Sequence, residues 1–362
     1  MNIFIIGTRG IPNSYGGFEA FAQHISIRLV KAGHSVTVLY QNTQKEPLSH
    51  YFGVRRLPVQ VSKYIPRNLQ KIIYVLKSLL KIKHEPFDAA ICCGHSFGLF
   101  FPFFGKKFRE KLIVNMDGIE WNRSKWGITA KSMLKLSEKL AVKYVDRIVA
   151  DNREIKKYLD SKYGISSTYI SYGANFPDEQ HALNEIKRFD LSPYDYGLVI
   201  ARIEPENQIE NAINAFVDIN KTLIIVGDTR TKYGRRIERT YQIHSNIKFV
   251  GSIYNQKVLN TLRAYSRVYY HGHSVGGTNP SLLDAMACGC IIVAHNNPFN
   301  REVLANAGTY FSSTNNLVFC IQKSWNFTKN QRERIGAKVI ERAKNLYSWE
   351  KVMSNYLTLI SD

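Results

Sequence analysis

Long apolar runs, regularly spaced cysteines and acidic metal motifs are scarce in this 362-residue sequence. No stretch approaches the roughly 20 apolar residues that span a bilayer. The opening MNIFIIGTRG has no basic segment before its short apolar stretch, so we expect no signal peptide. The five cysteines lack a repeated metal-type spacing, which favours buried thiols in a reducing cytoplasm. No Asp-x-Asp pair occurs, so neither a metal nor another cofactor is expected.

Signatures of two other protein classes are also missing. The N-terminal glycine-rich loop is not G-x-G-x-x-G and no acid follows the second predicted strand, which disfavours a nucleotide-dependent oxidoreductase. No zinc finger, KH loop or RNP-type motif accompanies the net charge of +20, so nucleic acid is not an expected partner. Residues 1–180 hold 27 Lys and Arg against 14 Asp and Glu. That excess favours an anionic membrane surface or phosphorylated ligands.

Short apolar strands alternate with amphipathic helices along both halves of the chain, as in parallel α/β sheets. The pattern predicts two Rossmann-like domains facing each other across a cleft, over residues 1–175 and 193–345, joined by a polar linker at 176–192. A last helix, over 346–362, is expected to cross back to the N-terminal domain. Ligands of such sheets lie beyond the carboxyl ends of the strands, so we expect the site in the crevice between the domains.

The stretch VYYHGHSVGGTNPSLLDAMACGCIIVA, residues 268–294, is typical of a strand, a glycine loop, a helix and a second strand. Asn279 is a good N-cap and Pro280 suits the first helical position. The amides of residues 281–283 would then lack intrahelical partners, and the helix dipole adds positive charge there. The pattern predicts a cradle for a diphosphate.

Two glycines and an acid complete this predicted cradle. Gly276 and Gly277 allow a ligand to approach the backbone closely. Asp284 is expected to face the same ligand and accept hydrogen bonds from sugar hydroxyls. Taken alone, such a strand-to-helix turn is equally consistent with a purely structural role.

The segment from Asp117 to Trp126 follows another predicted strand and is rich in tryptophan and charge. Trp faces stack on sugar rings and charged groups bind hydroxyls or phosphate, so we predict an acceptor site here. The alternative is that both tryptophans anchor a loop to the core. The expected acceptor residues, including a histidine that follows a neighbouring strand, are His95, Glu120, Trp121, Arg123, Lys125 and Trp126.

Four segments, in order, resemble a known family: GTRGIPNSYGGFEAFAQHIS, MDGIEWNRSKW, IARIEPENQIENAI and GGTNPSLLDAMACG. They resemble retaining glycosyltransferases of the GT-B architecture, of the large bacterial family 4 type. Within that family, they resemble most the rhamnosyltransferase-like branch, which acts in surface-polysaccharide biosynthesis. The resemblance covers nearly the whole chain. It implies a hexosyltransferase that moves L-rhamnose from dTDP-L-rhamnose, without a metal, onto a lipid-diphosphate-linked saccharide in capsule, O-antigen or cell-wall assembly.

The resemblance also implies roles for the matching positions. Arg202 matches the family's diphosphate-binding arginine, whereas Asn207 stands where the family has a lysine. Gly276 replaces the first acid of the family's Glu-x7-Glu motif, and Asp284 matches the second, ribose-binding acid. The implied donor-site residues are Gly16, Gly17, Arg202, Asn207, Gly276, Gly277, Thr278, Asn279 and Asp284.

Asp117 is the catalytic residue that the resemblance implies, because it falls near a family histidine that touches the donor sugar. Retention is compatible with front-face attack, in which the leaving phosphate oxygen accepts the acceptor's proton. Asp117 would then orient the sugar or assist the transfer.

Two basic, apolar stretches, Arg67–Lys83 and Ser96–Lys111, predict contact with an anionic membrane. The alternative for the first is a helix whose apolar stripe packs on the sheet. Together with a lipid-linked acceptor, these stretches predict a cytoplasmic protein that is peripheral on the inner face of the plasma membrane.

Three further functions are compatible with the sequence. The same fold can use a UDP- or GDP-sugar as donor. A sugar-nucleotide epimerase has the same two-domain architecture and would release its product without an acceptor. A non-catalytic basic protein that binds membranes or nucleic acid is a remote alternative.

Overall fold

The structure, a computed structural model, describes residues 1–13, 16–42, 49–123, 126–177 and 183–361, without the side chains of residues 67 and 68. The chain forms two compact units, Met1–Gly173 with Trp349–Asp362, and Ala174–Ser348. Each unit is built on one sheet.

The first unit contains an eight-stranded sheet in the order β3-β4-β2-β1-β5-β6-β7-β8, parallel except for the β3–β4 pair. Its strands are β1 (Asn2–Ile6), β2 (Ser35–Gln41), β3 (His50–Tyr51), β4 (Val54–Val59), β5 (Ala89–Cys93), β6 (Leu112–Asn115), β7 (Arg147–Ala150) and β8 (Thr168–Tyr169). Its helices are α1 (Gly17–Lys31), α2 (Arg67–Lys83), α3 (Lys106–Arg109), α4 (Ile128–Tyr144), α5 (Arg153–Tyr163) and, at the end of the chain, α14 (Trp349–Ser361).

The helix α14 packs on α1 within the first unit. Trp349 stacks on His24 with ring centroids 4.7 Å apart, and Tyr356 lies 5.4 Å from Phe21. Apolar residues at 349, 352, 356 and 360 form the buried stripe of α14. The prediction that the last helix returns to the N-terminal domain is confirmed.

The second unit contains a six-stranded parallel sheet in the order β11-β10-β9-β12-β13-β14. Its strands are β9 (Tyr196–Ile200), β10 (Thr222–Val226), β11 (Ile247–Phe249), β12 (Val268–His271), β13 (Ile292–His295) and β14 (Thr309–Phe311). Its helices are α6 (Asn184–Lys187), α7 (Ile209–Asp218), α8 (Lys232–Tyr241), α9 (Gln256–Ala264), α10 (Pro280–Ala287), α11 (Pro298–Leu304), α12 (Thr314–Trp325) and α13 (Lys329–Leu346).

Strand order reverses once in the middle of each sheet, between β1 and β5 and between β9 and β12. The loops after two such strands diverge to opposite faces of the sheet and leave a crevice at the carboxyl edge. Each unit therefore has its own place where a ligand can approach the backbone.

Four elements differ from the sequence-based predictions. The sequence pattern predicts a closing strand of this half at Tyr169–Tyr172. The observed strand, β8, is shorter and begins one residue earlier, because it lies at the sheet edge, where pairing ends early. In the expected linker, α6 buries Ile186 and belongs to the second unit. The strands β3 and β4 were not predicted, since Pro58 and two arginines obscure their alternation.

The helix α2 packs part of its apolar side on the sheet, while Leu69 and Leu80 are exposed. Val75, Leu79 and Ile82 are buried, and the buried Tyr74 hydroxyl donates to the carbonyls of Thr8 and Leu39. Of the phenylalanines in the stretch 96–111, Phe103 alone is strongly exposed. Within the described part of the chain, no helix combines the length and apolarity that crossing a bilayer requires.

Candidate functional site

At the carboxyl edge of the second sheet, the loops after β9 and β12 are tied together. The amide and hydroxyl of Ser274 both donate to the carbonyl of Glu206, each at 2.9 Å. The hydroxyl of Ser281 donates to the carbonyl of Ile200 at 3.0 Å. The structure thus brings the loop of Arg202 beside the glycine loop that precedes α10.

The start of α10 is confirmed as predicted, but its free amides lie elsewhere. Asn279 is the N-cap and its Oδ1 accepts from the amide of Ser281 at 2.9 Å. The amides of Leu282 and Leu283 both donate to the carbonyl of Asn279, at 3.0 and 3.1 Å. All three amides that the sequence assigned to a diphosphate are therefore occupied.

Among the described residues, the amides of Gly276 and Gly277, in the loop before α10, form no hydrogen bond and remain open. A Cβ at Gly276 would meet nothing within 4 Å, so open space adjoins this backbone. The φ of Gly276 is +133°, which residues with side chains rarely adopt, so a substitution here would strain the backbone. Thr278, which follows, is buried.

Arg202 and Asn207 differ in what they offer a ligand. The guanidinium of Arg202 is partly exposed and lies 3.3 Å from the carboxylate of Glu204. The Asn207 side chain is buried and donates to the carbonyl of Arg202 at 2.6 Å. Asn207 therefore shapes the loop that carries Arg202, instead of replacing a ligand-binding lysine.

Asp284 is placed differently from the expectation that it faces a sugar. It is 6% exposed, and its Oδ1 accepts from both the amide and the side chain of Asn175, at 3.1 and 3.0 Å. Its Oδ2 lies 3.4 Å from the guanidinium of Arg263, which is 2% exposed. Burial raises the pKa of Asp284, against the opposing charge of Arg263. The carboxylate is committed to partners inside the second unit.

Sequence reasoning missed Arg263 and Asn175. The available signal for Arg263 was its position on the apolar side of α9, beside Leu259 and Leu262. An arginine that is buried there requires an acid as its partner. Asn175 gave no such signal.

In the first unit, the loop after β1 is shaped by glycines and by a buried acid. A Cβ at Gly7 would lie 2.7 Å from the carbonyl of Cys93, so β1 and β5 admit only glycine there. Glu19, which is buried, accepts from the amide of Arg9 at 2.8 Å. Gly16 precedes α1 with an extended φ of −165°, so no left-handed turn requires a glycine there. Gly17 is the first residue of α1.

Asp117 stands just beyond β6 with a φ of +56°, a conformation that costs a non-glycine residue about 1–3 kcal/mol. Its amide donates to Oδ1 of Asn115 at 3.1 Å. Burial raises the pKa of the Asp117 carboxyl, while nearby Arg123 lowers it and Glu120 raises it further. Strain and a raised pKa at a strand end mark Asp117 as a functional candidate.

Trp121 is anchored rather than presented to a sugar. Its indole N–H donates to Oε2 of Glu138 at 2.9 Å. The ammonium groups of Lys135 and Lys162 lie 4.5 and 5.3 Å from its ring centre. Glu138, a buried acid of α4, also accepts from Tyr158, Tyr163 and Lys162. Trp121 therefore fits the alternative of a loop anchor.

The other residues of the predicted acceptor segment form a small cluster around Glu120. The Arg123 guanidinium lies 2.8 Å from Glu120 and 4.0 Å from Asp117. The indole of Trp126 donates to Glu120 at 3.2 Å. Lys125 lies outside the described residues.

His95, the remaining candidate, is buried between β5 and α4. Its Nδ1 lies 3.4 Å from the carbonyl of Met116, and its Nε2 has no hydrogen-bond partner among the described residues. Burial lowers the pKa of His95. Its buried, neutral ring is a weak candidate for direct contact with an acceptor.

The described ranges of the chain contain no group of three or more His, Cys, Asp and Glu residues that could hold a metal ion.

Each unit contains a segment that matches a known sequence family. Residues 1–175 match the family described as Domain of unknown function (DUF1972), and residues 185–326 match Glycosyl transferases group 1. An uncharacterized glycosyltransferase of Methanocaldococcus jannaschii is 35% identical over 107 residues. The match spans 26% of this chain and 26% of that relative.

Solved structures of the same fold match along the chain. Sucrose-phosphate synthase from Thermosynechococcus elongatus aligns with a TM-score of 0.81 and 18% identity, over 99% of this chain and 98% of that one. Anabaena HepE in complex with UDP aligns with a TM-score of 0.72 and 13% identity, over 99% of each chain. The prediction of the two-domain GT-B fold is confirmed, and the group 1 match supports the prediction of a glycosyltransferase.

We predict that Asp284→Ala destabilises the second unit by about 3–5 kcal/mol, because Arg263 would stay buried without its partner. The double variant Asp284→Leu with Arg263→Met should recover most of this loss, since no unpaired charge remains. Urea unfolding followed by circular dichroism measures both changes. Equal stability of the single variant and the unmodified protein would contradict the buried pairing.

Proposed function

We propose that the protein is a glycosyltransferase whose second unit binds the nucleoside diphosphate of a sugar donor. The observation that carries the proposal is that Arg202 and the open amides of Gly276 and Gly277 lie on two loops that are tied together where strand order reverses. Backbone N–H groups and one guanidinium are the groups that stabilise charge on a departing diphosphate. No divalent metal is required for that task.

For the donor, we propose dTDP-L-rhamnose. The resemblance to rhamnosyltransferases supports this choice, as does the open space at Gly276, where the family has a sugar-binding acid. A 6-deoxy sugar has one hydroxyl fewer to bind. A UDP-sugar is the second candidate, because the related fold of HepE was solved with UDP.

For the reaction, we propose transfer with retention onto a lipid-diphosphate-linked saccharide of capsule, O-antigen or cell-wall assembly. The leaving phosphate oxygen takes the acceptor's proton, and the ionised Asp117 orients a sugar or assists the transfer. Its strained backbone and raised pKa support a role beyond packing.

For the location, we propose a cytoplasmic protein that docks on the inner face of the plasma membrane through the outer side of α4. Ile128 is 85% exposed, Leu136 is half exposed, and Phe103, on the turn that packs against α4, is 81% exposed. Glu138 is the one acid of α4 and it is buried, so the four lysines give the outer side a positive charge. Apolar side chains among lysines suit an anionic lipid surface.

Removal of the Arg202 charge should weaken nucleotide binding. We expect Arg202→Ala to lower the affinity for the preferred nucleoside diphosphate about tenfold or more, as lost charge-assisted hydrogen bonds do. Isothermal titration with dTDP, UDP and GDP, with and without EDTA, measures this. Arg236→Ala, which removes an exposed arginine paired with Glu210, is the control and should bind normally. Unchanged affinity in Arg202→Ala would contradict the assigned diphosphate site.

The acid limb of the pH–rate profile should report Asp117. If its carboxylate is the active form, the rate is full above its raised pKa and is lost as the pH falls through that value. Arg123→Gln should move the limb to higher pH, because Arg123 lowers the pKa of Asp117. Glu120→Gln should move it to lower pH, because Glu120 raises that pKa. A shift of the acid limb in the same direction in both variants would contradict its assignment to Asp117.

Vesicle binding tests the membrane surface. The protein should sediment with phosphatidylglycerol vesicles and much less with phosphatidylcholine vesicles. Combined Phe103→Ser and Ile128→Ser should reduce sedimentation severalfold, since both remove apolar area that enters the interface. Ile243→Ser changes a 79% exposed apolar residue of the second unit and should have no effect. Equal loss in both variants would contradict docking through α4.

A further inference from the structure

Asp117 is held by a second residue of its own strand. Asn115 ends β6, is buried, and uses both ends of its side-chain amide. Its Oδ1 accepts from the amide of Asp117 at 3.1 Å, and its Nδ2 donates to the hydroxyl of Tyr356 at 3.1 Å. A flipped amide would place N–H groups against the Asp117 amide, so the two bonds fix each other.

Tyr356 comes from α14, the last helix of the chain, and is fully buried. Its ring packs on Phe21 of α1, with centroids 5.4 Å apart. Phe21 also packs on Tyr172 at 5.8 Å, and the Tyr172 hydroxyl donates to Oδ1 of Asp117 at 3.5 Å. The backbone and the carboxylate of Asp117 are therefore both reached from one aromatic cluster.

Packing alone does not require these polar contacts from Tyr356 through Asn115 to Asp117. Leu112 to Val114 of β6 are apolar and buried, and an apolar residue at 115 would continue the pattern. A buried amide is instead costly unless both of its ends are bonded. A left-handed conformation at Asp117 also persists only where its surroundings enforce it.

We propose that Asn115 and Tyr356 are positioning residues that hold Asp117 in its left-handed conformation, so that α14 forms part of the Asp117 site. The inference rests on the proposed role of Asp117 in the transfer. The last helix then does more than close the first unit, because it supplies the hydroxyl that orients Asn115.

Tyr356→Phe tests this inference, since it keeps the ring and removes only the acceptor of the Asn115 amide. We expect kcat to fall about tenfold, while KM for the donor and the affinity for its nucleoside diphosphate change less than about threefold. Asn115→Ala should lower kcat at least as much. The assay follows release of the nucleoside diphosphate. Its substrate is a sugar nucleotide of the diphosphate that binds best in the titrations with dTDP, UDP and GDP.

The matched control is Tyr196→Phe, which removes a buried hydroxyl that donates to the carbonyl of Leu262 in the second unit. It should leave kcat unchanged while its effect on melting temperature resembles that of Tyr356→Phe. A fall in kcat proportional to lost stability in both variants would overturn the positioning role.

Asp117→Asn separates the two levels of the argument. If Asp117→Asn is nearly inactive and Tyr356→Phe retains full kcat, the positioning role is wrong and the role of Asp117 stands. If Asp117→Asn keeps full kcat, the proposed role of Asp117 fails, and the positioning role fails with it.

Discussion

Reversal of strand order between β9 and β12 is the constraint on which the candidate donor site depends. Because the two following loops diverge, their backbones stay accessible at the carboxyl edge of the sheet. Hydrogen bonds from Ser274 to Glu206 and from Ser281 to Ile200 then fix the loops beside each other. These contacts hold the loop of Arg202 beside the loop of the glycine amides, which is the arrangement that the proposed diphosphate site requires.

The sequence predicted this region well where the signals are local. Asn279 and Pro280 mark the start of α10 by their own chemistry, and the apolar strands on either side follow from their composition. Asp284 could not be placed in the same way. Its partner Asn175 lies 109 residues away, and only the folded chain shows that its carboxylate is already bound. Likewise, the sequence could not show that the open amides are those of Gly276 and Gly277, because this follows from the observed capping bonds at the start of α10.

In the first unit, composition alone could not decide between ligand contact and anchoring. Tryptophans amid charges suit both a sugar platform and a tethered loop. For Trp121, the buried Glu138 indicates anchoring, because its carboxylate accepts a hydrogen bond from the indole N–H while two lysines approach the ring. Asp117 stays the strongest candidate there, since its conformation is strained and its neighbours are arranged around it.

The most direct test of the central claim follows sugar nucleotides by ³¹P NMR in the presence and absence of lipid-diphosphate-linked saccharides. A glycosyltransferase should release a nucleoside diphosphate from one sugar nucleotide, rapidly only with an acceptor, and EDTA should not prevent it. Conversion of one sugar nucleotide into another without an acceptor would indicate an epimerase instead. Failure to consume any sugar nucleotide would contradict the donor site.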